Sequence, residues 1–170
     1  MKLQWLVLKE NPAFRTGIGF DAHCLRRGRR LVLGGVVVPS VVGAVGHSDA
    51  DVLLHALTDA ILGATASPDI GTLFPDNDPK LAGADSAGFL AHALQRARRA
   101  GYCLSSVDCV VVCDRPRLTA HTAAIRKSLA RLLRIPGTCV GLKAKTTEGT
   151  RLAEPGKSIA AVATVLLERK

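Results

Sequence analysis

Apolar residues fall along this chain in two rhythms. Between Asp49 and Ala66 they recur at helical spacing: Val52, Leu53, Ala56, Leu57, Ala60 and Ile61 share one face, with His55 and Asp59 set among them. The spacing predicts a helix there, N-capped by Ser48 or Asp49, whose side chains suit the positive helix end. Two more helices are predicted, Ser86 to Ala100 closed by Gly101, and Thr119 to Arg134 stopped by Ile135-Pro136-Gly137. Shorter apolar runs bounded by turn residues read as strands. They are Arg15 to Phe20, Leu31 to Val38 ended by Pro39, Tyr102 to Cys113, Thr138 to Lys145 and Ser158 to Leu167. A hairpin is expected to join the first two. Ser67 to Ser86 is rich in Pro, Gly and Asp and reads as a loop, long enough to suggest function. This order implies an α+β fold: a two-layer sandwich of a mixed β-sheet with helices packed on one face. One domain is expected over residues 14–170, with residues 1–13 as a tail or an extra edge strand.

Composition agrees with a compact core. The 170 residues are 48% hydrophobic with a mean hydropathy of +0.22. No apolar run reaches the roughly 18 residues of a spanning helix, and Leu3 to Leu8 is short for a signal-peptide core. The chain therefore reads as cytoplasmic, with no membrane partner. Its five cysteines, Cys24, Cys103, Cys109, Cys113 and Cys139, form no C-x-x-C pair and are read as small core residues. A net charge of +9 suggests an anionic partner. Much of it lies in Arg26, Arg27, Arg29 and Arg30, and in Arg96, Arg98 and Arg99, which also read as a solvated surface. Aromatic residues are too few for single-strand stacking, so nucleic acid is an unlikely partner.

Candidate chemistry starts with Asp21 and His23. Two apart in an extended segment, their side chains leave one side of the strand. His55, polar within an apolar helix, needs a partner or costs stability. Two imidazoles and one carboxylate form a set of three ligands that suits Zn²⁺ and leaves one tetrahedral position open, as in catalytic sites.

Three ordered segments carry a family resemblance: G-I-G-F-D-A-H (Gly17 to His23), G-H-S-D-A-D-V-L-L-H-A-L-T-D-A-I-L-G (Gly46 to Gly63) and D-I-G-T-L-F-P-D-N-D-P (Asp69 to Pro79). Over Arg15 to Leu167 the chain resembles the 2-C-methyl-D-erythritol 2,4-cyclodiphosphate synthases, which close a cyclic diphosphate and release CMP. The resemblance implies a homotrimer with active sites between subunits, and a substrate made of a cytidine diphosphate linked to a sugar-alcohol phosphate. It assigns Asp21, His23 and His55 to zinc, and Glu148 to a second divalent ion, Mg²⁺ or Mn²⁺. By the same resemblance the Asp21-Ala22-His23 segment, His47 and Ser48 meet the substrate, with His47 stabilising the transition state. Asp69, Ile70 and Gly71 match the segment that holds the methylerythritol hydroxyls. Phe74, Pro75, Asp76, Asn77 and Asp78 match the adjoining flexible loop. Cys113, Asp114, Arg115, Pro116, Arg117 and Leu118 match the loop that cradles cytosine. Lys145, Thr146, Thr147 and Glu148 match a T-T-T-E run, in which Thr146 contacts the diphosphate and shares the catalytic role with His47.

The match fails after Glu148. Leu152, Pro155 and Lys157 stand where the family shows Phe, Arg and Glu lining a trimer channel that can hold an isoprenoid diphosphate. That departure and the +9 charge leave a second reading, a non-catalytic binder of anions or nucleic acid on the same fold.

Overall fold

The computed structural model describes residues 12–81, 83–150 and 157–170. Its elements in chain order are β1 (Phe14–Arg27), β2 (Leu31–Leu33), β3 (Val36–Val38), β4 (Val42–Ala44), α1 (Val52–Ala64), α2 (Ile70–Leu73), α3 (Ser86–Arg99), β5 (Tyr102–Val112), α4 (Thr122–Leu133), β6 (Val140–Lys145) and β7 (Ser158–Arg169). Five strands form one sheet in the order β4-β1-β7-β5-β6. Only β5 and β6 run parallel, and α4 is the crossover that a parallel pair requires. The expected α+β architecture, a mixed sheet with helices on one face, is the one observed.

Alternation along the strands decides which face the helices cover. Ile159, Ala161, Ala163, Val165 and Leu167 of β7 are buried, as are Val107, Cys109 and Val111 of β5. The other parity of β1 (Phe14, Thr16, Ile18, Phe20, Ala22, Cys24) is exposed. Against the covered face lies α1, whose residues are buried on nearly every side. It comes unusually close to β1 because Gly17 and Gly19 have no side chain. A Cβ on Gly17 would sit 1.9 Å from the Ala60 carbonyl oxygen, and one on Gly19 2.0 Å from that of Ala56.

Several elements differ from expectation. The first strand runs through Asp21 and His23 to Arg27 and does not end before them. Leu31 to Val38 is not one strand paired with β1. It folds on itself at Gly34-Gly35, both at positive φ, into a separate two-stranded hairpin. The partner of β1 on that side is β4, a strand too short and too Gly-rich to stand out in the sequence. The N-cap of α1 is Asp51, not Ser48 or Asp49. Wholly buried, its carboxylate accepts the N–H groups of Leu53 and Leu54 and also those of Gly34 and Gly35. One side chain thus caps a helix and closes a hairpin. Within Ser67 to Ser86 the chain forms α2 and a 3₁₀ turn, so that stretch is not all loop.

Cys109 and Cys113 are core residues as expected, and burial pushes their thiols up to about 12 and about 11. Cys24 is exposed, and Cys103 and Cys139 are half-buried. Of the expectations at the ends of the chain, the tail or edge strand falls mostly on residues 1–11, outside the described residues, as do Leu152 and Pro155. Among the described residues no helix is long and apolar enough to cross a membrane.

Candidate active site

The D-x-H segment, in the middle of β1, turns Asp21 and His23 toward α1, where His55 projects at the helix's first full turn. Asp21 Oδ2 lies 3.0 Å from His23 Nε2 and 2.9 Å from His55 Nδ1, and the two imidazole nitrogens are 3.2 Å apart. One ligand atom from each residue falls within 4.8 Å of the others, which makes this the one candidate metal cluster among the described residues. The need of His55 for a partner is thereby met, by side chains 32 and 34 positions upstream.

Both the geometry and the donor set fit zinc: borderline nitrogen and oxygen donors, converging from two rigid elements, with the cavity side left open. The electrostatics agree. Burial pushes the Asp21 carboxyl up, but hydrogen bonds and charge from His23 and His55 outweigh it and hold Asp21 well below the usual carboxylate range. Burial pulls His23 down, and the Asp21 carboxylate more than reverses that, so its pKa is raised. A site that holds a carboxylate ionised in this way is one whose charge a metal cation can take up. His23 is further steadied by a hydrogen bond to the Val45 backbone, with Gly46 packed against its ring.

The cluster forms one wall of a cavity of about 290 Å³. His47 and Ser48 line it from the turn before α1; Ile70, Gly71, Phe74, Pro75 and Asp76 line it from α2 and the segment after it. Asp59 holds that second wall to α1 by accepting the Ile70 N–H at 2.7 Å. The Phe74 ring packs on Phe89 of α3, with centroids 4.5 Å apart. Asp69 does not reach the cavity lining; it caps α2, accepting the Thr72 N–H at 2.7 Å, and the Thr72 hydroxyl first and this N–H second lower its pKa. Asn77, Asp78 and Ala22 also lie off the lining, Ala22 because it belongs to the opposite sheet face.

The remaining expected residues gather elsewhere on the same sheet end. Strand register places Ala22 opposite Ala160, Ala160 opposite Val112, and Val112 beside Lys145. Three strand spacings separate Ala22 from Lys145, about 14 Å. There Asp114 accepts both the Thr147 N–H (2.8 Å) and the Thr147 hydroxyl (2.7 Å), which ties the loop after β5 to the loop after β6. The Thr146 hydroxyl donates to Glu148. Cys113 and Leu118 are buried and anchor the 113–118 loop, leaving Asp114, Arg115, Pro116 and Arg117 toward the surface. Glu148 is exposed and offers one carboxylate, so a hard cation there needs most of its ligands from phosphate oxygens and water. Sequence reasoning missed Phe89, Ser86 and Asp49. Phe89 and Ser86 lie three apart on α3 and so share a face, but no signal in the sequence turns that face toward His55.

A family model described as the YgbB family matches residues 14–168. The 2-C-methyl-D-erythritol 2,4-cyclodiphosphate synthase of Koribacter versatilis is 49% identical over 156 residues, 92% of this chain and 99% of that protein. The enzyme of the same name from Geobacter metallireducens is 50% identical over the same shares. A solved structure of 2C-methyl-D-erythritol-2,4-cyclodiphosphate synthase is similar with a TM-score of 0.85 at 48% identity, covering 91% of this chain and 100% of that one. A second, in a form with CDP bound, gives 0.84 at 45% identity, with the same coverage. With its fold and nearly its whole length matched, the chain belongs to the YgbB family, that of the 2-C-methyl-D-erythritol 2,4-cyclodiphosphate synthases.

Proposed function

We infer that this chain converts 4-diphosphocytidyl-2-C-methyl-D-erythritol 2-phosphate to 2-C-methyl-D-erythritol 2,4-cyclodiphosphate with release of CMP. The observation that carries the reading is the convergence of Asp21, His23 and His55 on the wall of a cavity built by the family's own segments.

In the reaction an oxygen of the 2-phosphate attacks the β-phosphorus, and the bond from that phosphorus to the bridging oxygen breaks. CMP leaves with the electron pair. The attacking monoester is largely ionised at neutral pH, so alignment and charge neutralisation matter more than a strong base. Zinc held by Asp21, His23 and His55 would supply Lewis acidity to the β-phosphate. Glu148 would hold a magnesium or manganese ion, which would neutralise charge on the diphosphate and the departing CMP. His47 and Thr146 donate hydrogen bonds to oxygens that gain charge during in-line displacement. Ser48 borders the phosphate end of the cavity. Within the Asp69-Ile70-Gly71 segment, Ile70 and Gly71 border the sugar-alcohol hydroxyls while Asp69 caps their helix, and Phe74, Pro75 and Asp76 of the 74–78 segment stand beside them. Residues 113–118 and Lys145, Thr146 and Thr147 receive the cytidine and its diphosphate. Holding both ends of one molecule converts the step to a ring closure, where proximity supplies on the order of 7–11 kcal/mol.

The uncovered sheet face supports the proposed assembly. Phe14, Ile18 and Phe20 on it are 56%, 69% and 63% exposed, a row of large apolar side chains that a solitary subunit would leave wet. A homotrimer packed through that face brings the nucleotide loops of one subunit to the metal cluster of the next. The ~14 Å between those groups within one chain supports an active site shared between neighbours.

Purified protein given the cytidylyl substrate and magnesium, followed by ³¹P NMR, is expected to form CMP and cyclic diphosphate in equal amounts. A zinc chelator is expected to stop both. A fully metallated protein that leaves the substrate intact would overturn the reading.

A further inference from the structure

His55 uses both ring nitrogens. Nδ1 faces the metal cluster, while Nε2 lies 2.9 Å from the Ser86 hydroxyl and 3.2 Å from that of Ser48. Ser86 is fully buried, and its hydroxyl donates to Asp49 Oδ1. The carboxylate of Asp49 is itself braced: it accepts the Asp51 N–H at 3.3 Å and the Ser86 N–H at 3.4 Å, and the Asp49 N–H donates to the Ala84 carbonyl at 3.0 Å. Position 86 is fixed in turn, because Asp85 caps α3 through the Ala87 N–H and Phe89, one turn on, sets its ring 6.3 Å from that of His55.

The direction of these hydrogen bonds follows from what each group can do. A carboxylate only accepts, and a serine hydroxyl has a single hydrogen. With that hydrogen committed to Asp49, Ser86 can only accept from His55. Nε2 must then carry a proton, so that Nδ1 is the nitrogen left to offer a lone pair to a metal ion at the point shared with Asp21 and His23. We propose that Ser86 and Asp49 are positioning residues for the metal centre, forming a carboxylate–hydroxyl–imidazole relay that fixes the tautomer of His55. Without a metal ion, His55 Nδ1 and Asp21 Oδ2 lie at hydrogen-bonding distance, 2.9 Å, so a proton on Nδ1 bridges them. A metal ion held by the cluster would take the place of that proton. The site is built to be filled, and its second partners are set by the start of α3 and the turn before α1. Ser48 reaches the same nitrogen, but its oxygen already accepts the Ala50 N–H at 3.1 Å, and it has no carboxylate behind it to fix its direction.

The inference rests on the reading of Asp21, His23 and His55 as metal ligands, and its test separates the two. Long-range ¹H–¹⁵N NMR of the histidines, in zinc-free and zinc-loaded protein, reads the tautomer; competition with a chromogenic chelator reads zinc affinity. Wild type is expected to show His55 protonated on Nε2 in both states. Ser86→Ala is expected to mix the tautomers in the zinc-free protein and weaken zinc about 10–100-fold. Asp49→Ala is expected to do the same, and the double variant to be no weaker than Ser86→Ala alone, because Asp49 acts through Ser86. Unchanged zinc affinity and tautomer in Ser86→Ala would overturn the relay while leaving the metal centre standing, as would losses that simply add in the double variant. Wild type that takes up no zinc at His55 would instead remove the metal reading. Circular dichroism of each variant identifies any that fail to fold, and the wild-type ring alone then still decides: an Nε2 without a proton contradicts the relay.

Discussion

Asp114 shows how much a single half-buried carboxylate can organise. Its two bonds from Thr147, the hydroxyl first and the backbone N–H second, hold its pKa below the ordinary carboxylate value. A group whose folded pKa is depressed adds stability above its unfolded value and loses it as pH falls through the folded one. Thr147→Val is therefore expected to move the Asp114 titration back up toward the ordinary range, read by carboxyl ¹³C NMR. The variant should also be less stable than wild type at neutral pH, with the gap closing below the depressed pKa. An Asp114 that titrates identically in both proteins would refute the tie. His55 belongs to the same scale. Its need for partners is legible in the sequence, since a polar ring among Leu53, Leu54, Ala56 and Leu57 has to be satisfied, and D-x-H supplies candidates. The roles of Ser86 and Asp49 are not legible. Nothing in residues 31 and 37 positions away from them announces a hydrogen bond that only tertiary packing creates.

At the scale of elements, α1 lies tight against β1. The Gly17 and Gly19 gaps face the backbone of the helix at Ala56, Ala60 and Ala64, where no flexible side chain can yield. Gly19→Ala is expected to cost about 3 kcal/mol or more, at or beyond the upper end of overpacking, measured by urea unfolding of the assembled protein. A cost under ~1 kcal/mol would mean that the helix can back away. Long elements with strong periodicity were readable: α1, α3, α4, β5 and β7 all lie where the pattern puts them, within the few residues by which ends fray. Short ones were not. Leu31 to Val38 reads as one continuous apolar strand, but its two central glycines sit at positive φ and reverse the chain, and the buried Asp51 carboxylate holds that reversal from outside the segment. Capping misled the reading for a related reason. Ser48, Asp49 and Asp51 all suit a helix start, and the hairpin's N–H groups select Asp51.

For the whole molecule, the exposed row Phe14, Ile18 and Phe20 separates a solitary subunit from an assembly. Ile18→Glu places a charge in the middle of that row and leaves the helix-covered face untouched. Sedimentation is expected to show the wild type as trimers and the variant as folded monomers with nearly all turnover lost. Monomeric wild type with full activity would contradict a site shared between subunits. The sheet's alternation shows in the sequence, but an apolar residue on a strand does not reveal whether its own helices or another copy will cover it.

The central claim is that one carboxylate and two imidazoles hold the ion on which ring closure depends. Its most direct test is a zinc titration of metal-free protein at constant magnesium, with CMP release recorded at each addition for the wild type and His55→Ala. Turnover is predicted to rise from near zero, to saturate at one zinc per chain in the wild type, and to stay near zero throughout in a folded His55→Ala. Full CMP release before any zinc is added, or equal turnover in the two proteins, would contradict it.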